Sequence, residues 1–128
     1  MMSKTMKKRD SAEKEAMNTT DLYAATLSVL TDARRIMLSP EWQVELDKHT
    51  QAERLAASKA LVRVEQAILR LSNTILSDIA DQMQSNEEAL MESTKELETA
   101  LERIQRVKSV IDKVTNVLSV VAKILPLL

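Results

Sequence analysis

No glycine occurs anywhere in the 128 residues. Glycine takes a positive φ or a close backbone approach at little cost, so without it every reversal of the chain falls to right-handed or extended backbone. The absence also excludes chemistry. A Walker loop, a GxGxxG dinucleotide turn, a GxSxG nucleophile elbow and an EF-hand turn all depend on glycine. The expectation is an all-α protein that is not an enzyme and carries no cofactor.

The apolar palette agrees. Hydrophobic residues make up 45% of the chain, drawn from Leu, Val, Ile, Ala and Met, with no Phe, one Trp, one Tyr and no Cys. Helix interfaces use this set, and a chain of this size can bury one core without metal or disulfide. The formal net charge of −1 draws it toward neither DNA nor an anionic membrane. Locally, residues 1–18 carry a net +2 and residues 85–106 a net −3, which read as a solvated tail and a solvated helix face. The N-terminal lysines are followed by the polar stretch Asp10–Glu15 and not by the apolar run of a signal peptide. The expected compartment is cytoplasmic, with export by a leaderless route left open.

Residues 1–18 lack apolar period and are predicted to form a flexible charged tail, with residues 19–128 as a single helical domain. Thr19, Thr20 or Asp21 can cap a first helix, whose apolar residues Leu22, Tyr23, Thr26, Val29, Leu30, Ala33, Ile36 and Met37 recur at helical spacing as far as Leu38. Ser39-Pro40-Glu41 is a restart signal that opens a short helix from Pro40 to about Lys48, presenting Trp42, Val44 and Leu46. Thr50 and Glu53 have capping-box spacing and start a long third helix to about Gln84. Ser85 and Glu88 repeat that spacing and start a last helix, which runs to Leu125 and is stopped by Pro126.

The last helix carries three apolar columns of seven-residue repeat: Val107, Val114 and Val121; Val110, Val117 and Ile124; Ile111, Leu118 and Leu125. Three columns demand more than one neighbouring helix. The third helix is expected to answer with the column Leu55, Val62, Leu69, Leu76 and Met83, completed by Leu61, Ile68, Ile75, Val64 and Leu71. The resulting expectation is an antiparallel up-down-up helical bundle built on a long hairpin that turns at Ser85, its first rod broken at Pro40.

Candidate chemistry is sparse. His49 is the one histidine and has Glu45 and Glu53 four residues to either side, but the helix break at Thr50 spoils that set as a metal site. A di-iron Glu-x-x-His motif is missing, because Leu46 stands three residues before His49. Glu87, Glu88 and Glu92 fall in the first turns of a helix, where they favour its N-terminal dipole. Arg54, Lys59, Arg63 and Arg70, with Arg34 and Arg35, could form a basic stripe, yet no aromatic platforms accompany them. Residues 114–125 carry one charge, Lys123, but are too short for a membrane span.

The function expected first is a non-enzymatic interaction or scaffold protein that binds another protein, or itself, through apolar helix faces. Val120, Leu127 and Leu128 lie outside the core columns and are the predicted interface residues, with Trp42 nearby. A membrane-active protein using residues 114–128 is the second reading. A small nucleic-acid-binding subunit using the α-helical arginines is the third.

Overall fold

The computed structural model describes the backbone from Met2 to Leu125 and the side chains from Thr19 to Leu125. It contains α1 (Met2–Met37), α2 (Pro40–Leu46), α3 (Gln51–Asn73), α4 (Leu76–Ser85), α5 (Glu87–Leu101) and α6 (Val107–Ile124), with no strand among the described residues. The all-α expectation holds, as does the break of the first rod at Pro40. None of the described residues has a positive φ.

Two of the expected helix starts form through side-chain caps. The Ser39 hydroxyl accepts from the Trp42 amide at 3.2 Å with Pro40 in the first turn, and the Thr50 hydroxyl accepts from the Glu53 amide at 3.2 Å. Elsewhere the chain departs from expectation. The helical backbone of α1 passes through Thr19, Thr20 and Asp21, so none of them caps it. Over residues 2–18, expected as part of a flexible tail, the structure describes the helical backbone of α1 and no side chains. Ser85 closes α4 instead of capping the next helix, and the Asn86 amide nitrogen Nδ2 donates to the Gln82 carbonyl at 2.8 Å.

Two further breaks divide the long rods. The expected third helix stops at Asn73, where Thr74 and Ile75 adopt extended backbone before α4. The expected fourth helix reverses at residues 102–106 through tight bonds, from the Arg103 amide to the Ala100 carbonyl and from the Arg106 amide to the Arg103 carbonyl, each 3.0 Å. Neither break contains proline or glycine.

The hairpin therefore turns between α5 and α6, which share the largest interface in the molecule. Lys113 Nζ of α6 meets Glu96 Oε2 of α5 at 3.1 Å across it. α1 packs on α3 and α5, and α6 packs on the same two helices, so α1 faces α6 and α3 faces α5 diagonally across one core. Tyr23 of α1 donates its hydroxyl to the Leu71 carbonyl near the end of α3, which sets α1 and α3 antiparallel. The up-down-up run thus continues into a fourth rod. α4 packs against α1, α6 and α5, and its Gln84 reaches Thr19 at 3.5 Å.

The core is apolar and dense. Leu30, Ala33, Val64, Ile79, Leu90, Leu97, Val107, Val110, Val114 and Val117 have no solvent exposure. The first two valine columns of α6 are buried as expected, and Ile111 and Leu118 of the third are half-buried at its edge. On α3 the expectation holds only in part: Val64 and Leu71 are buried and Leu61 and Ile68 pack half-buried against the core, whereas Ile75, expected in the same face, is 66% exposed. The buried residues of α3 are Ala57, Ala60, Val64, Ala67 and Leu71, while Leu55, Val62 and Leu69 face solvent. The alanine-lined face is the one on which α1 and α6 both pack, and the break at Thr74 takes α4 off the α3 register, so Met83 is buried independently of the three outward residues.

Substitutions should divide along this line. Leu97→Ala is expected to lower stability by about 2–5 kcal/mol, whereas Leu69→Ala should stay within about 0.5 kcal/mol. Urea unfolding followed by circular dichroism measures both, and equal costs would contradict the inverted α3 face.

Candidate protein-interaction surface

Polar chemistry is dispersed over the structure. Thr26, Ser93 and Thr94 are buried, and each donates its hydroxyl to a carbonyl of its own helix. Among the described residues no buried side-chain polar atom lacks a hydrogen-bond partner, and no group of three His, Cys, Asp or Glu side chains could hold a metal. Glu87 and Glu88 stand in the first turn of α5, as expected, with Glu87 half-buried and Glu88 and Glu92 exposed.

His49 sits in the link between α2 and α3. Its Nδ1 lies 2.6 Å from Glu53 Oε2, while Glu45 turns to Lys48 Nζ at 3.3 Å. The set anticipated around His49 is therefore split into two pairs. The hydrogen bond to His49 holds the Glu53 carboxyl below its ordinary value; partial burial opposes this, and the Thr50 hydroxyl and Lys108 assist it. Lys108 lies in the first turn of α6, which packs against α3.

The apolar residues predicted to be available are mostly consumed. Trp42 is 1% exposed and Val120 is 9% exposed, so both belong to the core and not to a free surface. Val120 lies seven residues beyond Lys113, on the flank of α6 that meets α5. That flank gained a neighbour when the chain reversed at residues 102–106. Leu127 and Leu128 lie outside the described residues. Val114, Val117, Val120, Val121 and Ile124 of α6 are buried in the bundle, and among the described residues no helix is long and apolar enough to cross a membrane.

The exposed apolar surface lies elsewhere. Leu55 is 56% exposed, Val62 55% and Leu69 63%, at intervals of seven residues along one side of α3. Their spacing sets them in a nearly straight column opposite the alanine-lined inner face. Lys59 and Gln66 follow Leu55 and Val62 by four residues and form the next column, with Arg63 and Arg70 beyond them. These three cations are exposed, and among the described residues none has a carboxylate within ion-pair distance. Arg63 and Arg70 also form the lip of a groove between α3 and α6, floored by Ala67, Leu118, Val121 and Leu125 with Thr115 and Ser119 on its far wall.

The anticipated basic stripe is thus shorter than expected. Arg54 stands five residues before Lys59, on the other side of α3, Arg34 is half-buried, and Arg35 pairs with Asp32 at 3.7 Å. Sequence reasoning had the seven-residue repeat of Leu55, Val62 and Leu69 in view but turned it inward. Ala57, Ala60 and Ala67, two or five residues from these side chains and so on the opposite side of the helix, were the signal for the inner face, because a helix packed between two others favours small residues at closest approach.

No protein-family model matches the chain, and no curated protein or solved structure matches it.

The Glu53 contact has a pH signature. Its depressed carboxyl contributes stability that is present above the ordinary glutamate value and lost as pH falls through the lower, folded-state value. Carbon-detected NMR titration should find Glu53 titrating below the ordinary glutamate value and His49→Ala moving it back up. Thr50→Ala should separately cost about 1 kcal/mol by removing the cap of α3.

Proposed function

We propose that this chain is a non-enzymatic helical interaction protein that binds another protein through the outward face of α3. The observation that carries the reading is the column Leu55, Val62 and Leu69, more than half exposed in each case and repeating every seven residues. Single exposed leucines are ordinary on protein surfaces. Three on one column of one helix form half of a helix–helix seam, and among the described residues nothing covers it. The interface assigned by sequence to Trp42 and Val120 moves to α3, because a side chain buried in its own core has no area left to give a partner.

The physics of such a seam is largely apolar. Each of the three side chains can contribute on the order of 1 kcal/mol when its exposed half is covered, at ~25 cal/mol per Å². Ordering costs oppose this, so binding depends on several anchors acting together. A charge placed at the centre would strand itself in the seam.

Val62→Asp tests the reading. It lies on the exposed side of α3 and should leave helicity and the unfolding midpoint nearly unchanged. Used as bait against the wild-type chain and against Val44→Asp, an exposed apolar position on α2, it should lose the partner by at least about tenfold. Equal retention by all three baits would remove α3 as the binding face.

A further inference from the structure

The α3 column has two unlike edges, and they discriminate between occupants. On one side stand Lys59, Gln66, Arg63 and Arg70, and on the other Ser58, Glu65 and Ser72 with Arg54. Three cations without a partnered carboxylate therefore border the seam on one edge, while the opposite edge is close to neutral. Such an edge is incomplete in the same sense as the apolar column is. Arginine in particular offers a forked set of donors that carboxylates satisfy in pairs.

A second copy of the chain does not complete it. An antiparallel two-fold about Val62 would match Leu55 with a second copy's Leu69, which satisfies the apolar column. The same rotation keeps like edges together, since a two-fold perpendicular to both helices leaves each edge on its own side. Lys59, Arg63 and Arg70 of the two copies would then crowd one side of the seam with no carboxylate among them. A parallel two-fold opposes the unlike edges, but it sets the single carboxylate of Glu65 against three cations. The acidic residues of α5 do not help either, because α5 lies diagonally across the bundle from α3 and its exposed residues Glu88, Glu92 and Glu98 border only one exposed apolar side chain, Met91.

We infer that the occupant is an amphipathic helix of another protein, with an apolar column that covers Leu55, Val62 and Leu69 and a row of carboxylates along the edge facing Lys59, Arg63 and Arg70. The inference rests on the reading of α3 as the binding face and adds the chemistry of what binds there. Helix-in-groove recognition uses anchors spaced by three, four and seven residues, which is the spacing α3 offers. The arginines can turn either toward the seam or over the groove between α3 and α6, whose apolar floor extends the partner's contact beyond the column. Exposed ion pairs add little affinity each. Their role here is selection, since a basic edge repels the wrong helix and speeds encounter with the right one.

Two synthetic helical peptides of about three heptads test this, identical in their leucine column and carrying glutamate in one and lysine in the other along a single edge. Fluorescence anisotropy with the full chain at low salt should show the glutamate peptide binding at least about tenfold tighter. The double variant R63E/R70E should reverse the preference, and Val62→Asp should abolish binding of both. Binding of both peptides alike, lost in Val62→Asp, would overturn the acidic-helix inference and leave the α3 reading standing. Binding of neither, with self-association in light scattering that Val62→Asp abolishes, would make the occupant a second copy, again sparing that reading. Absence of both would overturn the two together. Salt-sensitive retention of a DNA duplex that is lost in R63E/R70E, with neither peptide bound, would replace the helix by nucleic acid.

Discussion

Between Leu101 and Val107 the chain reverses on short hydrogen bonds among residues that contain no glycine and no proline, and this reversal lays α6 back along α5. The geometry of the remaining rods depends on it. A valine-rich helix with three apolar columns needs neighbours on more than one side, and folding it against α5 supplies the first while α3 supplies the second. Arg106 absorbs the change of direction with φ −93 and ψ 68, and Ile104 packs half-buried against the core, so the turn is tied to the bundle it creates. Val120 is buried for the same reason.

Once α6 and α1 both lie against α3, little room remains between them. Alanines at positions 57, 60 and 67 let three backbones approach, and the larger residues of α3 are left on the outside. The outward leucines and valine follow from the inward alanines: one helix carries two apolar faces, and its own fold uses the smaller. Among the described residues the cations beside the outer face have no carboxylate within ion-pair distance, and the glutamate-rich α5 lies across the core. Apolar column and basic edge thus arise from one packing decision.

The local signals were legible wherever a side chain closes its own backbone bond. Ser39 and Thr50 sit at helix starts because a hydroxyl two or three residues before an amide satisfies it, whatever the rest of the chain does. The same spacing at Ser85 and Glu88 was misleading. There α4 had already begun at Leu76, and Ser85 met its last turn instead of a new first one. The breaks at Thr74–Ile75 and at 102–106 carry no breaker residue, so neither propensity nor periodicity marks them. The candidate surface shared this fate, for Val120 lies outside the core columns of three rods, and the fourth rod covers it.

What the sequence determined by itself is the helical class, the capped starts at Ser39 and Thr50 and the buried valine columns of α6, all of which depend on interactions within a few residues. Tertiary structure decided where uncapped rods bend, which face of α3 turns inward and which apolar residues are left for a partner. Those outcomes depend on how several helices share one volume, and a residue's burial is then set by neighbours distant in sequence. Leu69 and Leu71 show the difference: two residues apart in one helix and chemically identical, they end 63% and 2% exposed, because only one faces the space between α1 and α6.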